Sequence, residues 1–240
     1  VGETSFFGTF NYTIGGVTGY VQVSTILNFF DSALQLGQDI DGEAAGDRSG
    51  PVSISNDGSI VAIGAHYNAG TNGFRRGHVR IYQYDVTKTM NVTDQNSLDY
   101  GPIGWRRLGQ DIDGESNSDY SGISVSLSAD GSIVAIGATG NDGNGVDSGH
   151  VRIYQYDANK TTNVTLQSSP DFGPVGWRRL GQDIDGEAAM NFYANCALSD
   201  DGLIVAIGAY GNDGTTGVDS GHVRVYQFNG STWTQLGQDI

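Results

Sequence analysis

Cysteine is all but missing from this chain. Cys196 stands alone among 240 residues, so no intrachain disulfide can form and the disulfide-stapled secreted mini-scaffolds are excluded. Basic residues are also few: 12 Lys and Arg face 27 Asp and Glu, a net charge of -15. A surface of that sign repels phosphate backbones and anionic headgroups, which excludes nucleic acid and an anionic membrane as expected partners. No apolar run approaches the roughly 20 residues that a bilayer-spanning helix needs, and no membrane insertion is expected. The chain opens at Val1 without a basic n-region or a cleavage site, the pattern of a processed or excised segment. Proline is scarce at 4 residues, whereas glycine is abundant at 37. The glycines cluster with Asn, Asp and Ser between short apolar runs, the punctuation of many short strands joined by turns.

What the chain does have is a repeat. LGQDI begins at Leu36, Leu108, Leu180 and Leu236, at spacings of 72, 72 and 56 residues. Each unit then passes through DGE, a Ser-rich alternating stretch, Asp-Gly, VAIGA, an Asn/Asp/Gly loop and GHVR. The expected organisation is a β-rich lead-in over 1–35, with strand-like runs Tyr20–Val23 and Thr25–Phe30. Repeats follow over 36–107, 108–179 and 180–235, and a fourth starts at 236–240.

Four strands are expected per unit. In the middle repeat, Ser124–Ser128 alternates polar and apolar residues, as a strand with two different faces should. Ile133–Ala138 is continuously apolar, which suits a strand covered on both faces. Val151–Tyr156 alternates again, and Trp177–Leu180 leading into Gln182–Ile184 supplies the fourth. In the third repeat only Asn229-Gly230 separates the last two strands, which predicts a type I′ hairpin. The other two carry inserts at the same junction, Asp85–Gly104 and Asp157–Gly176, expected to leave the sheet as protruding loops. Tandem four-stranded antiparallel sheets are the blades of a β-propeller; a sandwich or solenoid of the same strands is the alternative. Three blades fall short of the about 4 to 8 that close a ring. Unpaired edges at an incomplete array therefore predict self-association, or further repeats of the same chain.

VAIGATGNDGNGVDSGHVRIYQY and VAIGAYGNDGTTGVDSGHVRVYQF resemble the FG-GAP repeats of integrin α-subunit propellers. The resemblance spans most of residues 36–240 and implies a propeller in an extracellular, adhesive setting. The family's Phe-Gly pair and Gly-Ala-Pro ending are absent: Thr139 follows Ala138 and Tyr210 follows Ala209.

Residues that recur in every unit are expected to serve the fold. His78, His150 and His222 are read this way, as hydrogen-bonding groups, and Cys196, at the register of Val52 and Val125, as a small apolar filler. The acidic sets Asp39/Asp41/Glu43, Asp111/Asp113/Glu115 and Asp183/Asp185/Glu187 have hard-cation oxygen chemistry, and alternation would place each set on one strand face. A second calcium candidate is the loop carrying Asp142, Asn144 and Asp147, matched by Asp213 and Asp219. The alternating acidic run of integrin-like calcium loops is not reproduced there, and Asx turns are the competing reading. In the first unit Arg75 and Arg76 replace the acids. With Asn191, Phe192 and Tyr193, which break the repeat, they mark a candidate contact surface.

Sequons occur at Asn11, Asn91, Asn159, Asn163 and Asn229. Asn91 and Asn163 hold equivalent places in the two inserts, which points to N-glycosylation and a secretory route. No catalytic constellation stands out from the repeat background. The expected function is a non-enzymatic extracellular or cell-surface glycoprotein module with a structural, adhesive or assembly role. The alternative is a glycan- or calcium-dependent binding module partnering other extracellular proteins or glycans, and a propeller hydrolase or lyase ranks behind both.

Overall fold

A computed structural model describes residues 3–14, 17–28, 35–70, 73–213 and 217–240. The chain forms two compact units, residues 1–36 and 37–240. In the first, β1 (Glu3–Ile14) pairs antiparallel with β2 (Val17–Asn28), from Glu3 opposite Asn28 to Ile14 opposite Val17. Phe29 and Phe30, expected to extend the second strand, lie outside the described residues.

The second unit is all-β and consists of three antiparallel sheets, one per repeat. Blade 1 runs β3 (Ser49–Ile54), β4 (Ile60–Ala65), β5 (His78–Tyr84), β6 (Trp105–Arg107), with β7 (Ile112–Asp113) also on β5. Blade 2 repeats this with β8 (Ser124–Leu127), β9 (Ile133–Ala138), β10 (His150–Tyr156), β11 (Trp177–Arg179) and β12 (Ile184–Asp185). Blade 3 uses β13 (Tyr193–Leu198), β14 (Ile204–Ala209), β15 (His222–Phe228) and β16 (Trp233–Gln235). Propeller-like blades are thus the architecture.

The fourth strand is broken in two. In blade 2, Trp177–Arg179 pairs with Tyr154–Tyr156, Gly181 then takes a φ of 77°, and Ile184 rejoins the ladder opposite Val151. A left-handed glycine that interrupts a ladder re-aims the neighbouring side chain, and here that side chain is Asp183.

The apolar cores lie between successive sheets. Ala62, Val79 and Ile81 of blade 1 pack on Leu127, Val134 and Ile136 of blade 2. Ile133, Ala135 and Ile153 pack on Val205, Ile207 and Ala209 of blade 3. The identical string IVAIGA is therefore buried along its whole length in β9 but only at alternate positions in β14. Close packing requires glycine: a Cβ on Gly64 would lie 2.0 Å from the Gly122 carbonyl, and one on Gly137 2.0 Å from that of Ala194. The inner strands are tied by Ser53 Oγ accepting from Leu127 N and Ser126 Oγ accepting from Leu198 N, both at 2.9 Å.

Two turn expectations are corrected. The β15–β16 connection is a four-residue loop, because Phe228 pairs with Trp233 and Asn229 N donates to Thr232 O at 3.1 Å. Within it only Gly230 has a positive φ, 98°. Asn229 instead caps the loop, its Oδ1 accepting from Ser231 N and Thr232 N. The inserts do not simply protrude. Each folds back through a bridge, Val92 with Gly101 and Val164 with Gly173, and is pinned by a buried lysine. Lys160 Nζ donates to the carbonyls of Thr162, Gly173 and Pro174 at 2.6, 2.7 and 3.0 Å; Lys88 Nζ donates likewise to Met90 and Gly101. Three donors meeting backbone acceptors satisfy an ammonium without a carboxylate.

Candidate functional site

The acidic stretch that precedes each blade does not stay on one face. Asp111 turns back to blade 1, whereas Glu115 serves blade 2. As a result each cluster joins a Glu, a His and an Asp from positions spread over one repeat: Glu43, His78 and Asp111; Glu115, His150 and Asp183; Glu187, His222 and Asp239. In every cluster one oxygen or nitrogen from each residue lies within 4.8 Å of the others.

An arginine from the third strand occupies the middle of each. Arg80 bridges Glu43 and Asp111, meeting the latter at 3.0 Å, and Arg107 reaches the same aspartate at 2.7 Å. Arg152 contacts Glu115 at 2.7 Å and Asp183 through Nε at 2.7 Å, with Arg179 at 3.2 Å. In blade 3, Arg224 bridges Glu187 and Asp239, and Gln235 takes the place of the second arginine. The carboxylates could ligate a cation by chemistry and distance, but the guanidinium already compensates them, so a metal would have to displace a buried ion pair.

Protonation follows from this packing. Burial, then the nearby Arg152 charge, pushes His150 down to about 4. Burial lowers His78 in the same way. These imidazoles are neutral at pH 7. Burial alone would raise the Asp111 and Asp183 carboxyls, but the hydrogen bond and charge of Arg80 and Arg152 outweigh it and hold both below the usual range. Asp113 goes the other way. Desolvation, then the Asp111 carboxylate, pushes it up to about 6.

Between the two inserts lies a cleft of about 450 Å³, with Gln95, Arg107, Asp113, Glu115, Gln167 and Phe172 on its walls. The Asn163–Thr165 sequon is on its lining. Asn91, Asn159 and Asn163 are exposed. Asn91 Oδ1 accepts from Ile103 N at 2.8 Å, which directs its amide nitrogen away from that bond. Asn229 is exposed, with Nδ2 donating to Thr232 Oγ1 at 3.1 Å. Asn11 lies in β1 opposite Tyr20; its side chain is outside the described residues.

The Asn/Asp loops build turns. Asp142 Oδ1 accepts from Asp147 N at 2.9 Å, and Asp213 Oδ1 from Asp219 N at 3.2 Å. Asn144 Nδ2 crosses to the next blade and donates to Gly186 O and Glu187 O at 3.0 and 2.9 Å. Arg76 does the same from the first unit, donating to Gly114 O and Glu115 O at 2.8 Å each. Two unlike side chains thus meet one backbone demand.

The expected contact surface is corrected for most of its residues. Asn191 and Tyr193 are buried, because their segment is bonded to blade 2: Phe192 N meets Asp147 O at 3.2 Å and Tyr193 N meets Ser148 O at 3.1 Å. Phe192 stacks on Tyr210, Arg75 lies over Tyr67 at 4.5 Å, and Arg76 is spent between blades. Cys196 Sγ sits 3.5 Å from Ser124 Oγ, and burial pushes its thiol up to about 11, too high for a neutral-pH nucleophile.

The central arginines and the pinning lysines were not singled out from the sequence. A signal for the arginines existed: GHVR and LGQDI recur in step, and Arg and Asp meet only when the pairing is taken across one repeat. Compared with protein-family models and with curated proteins, the chain has no significant match.

Proposed function

We propose that the chain is a non-enzymatic, extracellular glycoprotein repeat module, a building block of a cell-surface coat or filament. One observation carries this reading. The Glu/His/Asp cluster, the one candidate for chemistry among the described residues, occurs three times in equivalent form, with an arginine already between its carboxylates. Catalysis needs one differentiated arrangement of acid, base and nucleophile, whereas equivalent charge-satisfied units at regular intervals suit a repeating scaffold. Exposed, equivalent sequons at Asn91 and Asn163 support N-glycosylation and a secretory route. The likeness to FG-GAP repeats supports an adhesive setting.

The test is intact mass and low-resolution imaging of natively purified material before and after enzymatic N-glycan removal. A glycosylated polymer or filament is expected. Compact, unglycosylated particles would refute both the secretory and the assembly parts of the reading.

A second reading draws on the cleft between the inserts: a binding module for glycans. Its amide side chains, mixed charges and Phe172 match the polar and apolar faces of a sugar. Glycan-array binding that is lost in a Gln95→Ala, Gln167→Ala double variant would favour it over the scaffold reading.

A further inference from the structure

The molecule uses one interface twice, between blades 1 and 2 and between blades 2 and 3, and carries both halves of it a third time. On the trailing side of blade 3, Ile204, Ala206 and Gly208 alternate outward and are only half-buried, whereas the matching residues of β9 are all buried. Val223 is 38% exposed, against 0% for its equivalents Val79 and Val151. A Cβ on Gly208 would meet nothing nearer than Asn195 Cβ at 3.7 Å, where Gly64 and Gly137 have a neighbouring carbonyl at 2.0 Å. The leading side of blade 1 is the complement. Ile54 is 61% exposed, while its equivalent Leu127 is 7% exposed and packs on blade 1. Asn56 N donates to Ala129 O and Ala129 N to Asp200 O, both at 2.8 Å, which leaves Asp200 N and Asn56 O as the matching pair.

We infer that the blade 3 trailing face binds the blade 1 leading face of a second copy of this chain, head to tail, in the register of the two internal junctions. The inference rests on the assembly reading above and names its contact. Two unlike faces from one chain make a heterologous interface, which propagates into open stacks unless the rotation closes.

The geometry demands one exchange. Both Leu36–Ile40 and Leu236–Ile240 read LGQDI, and docking in register would bring the copy's first segment onto the other chain's last. The first segment is anchored in its own blade, with Gln38 N bonded to Ile103 O at 2.9 Å and Gly37 against the Trp105 indole. The last is held on its own blade by Leu236 N on Val225 O at 2.7 Å, by the Arg224–Asp239 ion pair at 2.9 Å and by the Ile240–Val223 backbone pair, both bonds at 3.0 Å. Leu236–Ile240 therefore yields as a unit, and the copy's Leu36, Asp39 and Ile40 take its places on Val225, Arg224 and Val223, as Leu108, Asp111 and Ile112 stand on Ile81, Arg80 and Val79.

Sedimentation of the full chain over a wide concentration range tests this, with two variants. Gly208→Val puts a β-branched side chain where a partner's backbone must approach; in the free chain it meets no backbone. Ile54→Asp charges the opposite face. The expected results are concentration-dependent multiples of the chain mass for the parent and association at least about 30-fold weaker for each variant, a typical cost of interface overpacking or a buried charge. The mixture of the two variants should form dimers and stop there, because only one competent junction remains. Loss of amide protection at Ile240 on assembly is also expected. Assembly that ignores both variants, or a mixture that stays monomeric, overturns the assignment of faces while leaving the scaffold reading intact. A concentration-independent monomer with Ile54 and Val223 protected from exchange means that the chain covers these faces itself, and overturns the inference. If native material then also lacks polymers, the scaffold reading falls with it.

Discussion

His150 and Asp113 pull stability in opposite directions over the same pH range. His150 has its folded value at about 4 against an ordinary 6.5. The unfolded chain takes up that proton first, so its contribution to stability is lost as pH falls through this window. Asp113 is raised to about 6 from an ordinary 3.8. Here the unfolded carboxyl ionises first, so stability is lost as pH rises from about 4 to 6. In the parent the two partly cancel. His150→Gln should therefore make the fall in melting temperature between pH 6.5 and 4 shallower, and Asp113→Asn should make it steeper. Calorimetric pH series that run parallel for all three proteins would contradict both assignments. The neutrality of His150 could not be read from its sequence position, since it depends first on burial and then on the Arg152 charge beside it.

At the scale of elements, the insert is an ordered lobe because one lysine satisfies its backbone. Lys160 adds a donor to Gly173 O and Pro174 O, which also accept from Val164 N and Trp177 N at 3.0 and 3.1 Å, and it ties them to Thr162 O across the insert; burial in turn lowers the ammonium pKa. Lys160→Met keeps the length of the stem and removes all three donors. We expect a loss of about 2 to 4 kcal/mol and faster hydrogen exchange confined to residues 157–176, with blade 3 unaffected. Uniform destabilisation of the chain would show that the insert is not a separately held element. The strands were legible in the sequence because alternation and continuous apolar runs differ in period. The insert's course was not, because a segment without periodicity is placed by its anchors alone, and a lone Lys in a polar stretch looks like a solvated one.

For the molecule as a whole, the critical quantity is the distance between sheets. Gly137→Val would drive a Cβ to 2.0 Å from the Ala194 carbonyl, and backbone cannot step aside as a side-chain end can. The expected cost is about 3 kcal/mol, or a melting temperature lower by roughly 6 to 12 °C for a chain of this size. Gly208→Val, at the same place in an identical string, should change it by less than about 2 °C when both proteins are measured dilute enough to be unassembled. Equal effects would mean that strand propensity, not blade spacing, governs these glycines.

The three repeats, the main strands within each and the all-β class were determined by the sequence itself, because period, alternation and turn residues are local properties. Tertiary structure alone decided which copy of a repeated residue meets which. Asp111 and Glu115, only four residues apart, serve different blades. Glu115 instead shares a cluster with Asp183, one repeat on. The left-handed Gly109 and Gly181 turn the chain between blades at those points, and side-chain partnership across a turn depends on the path of the backbone through space.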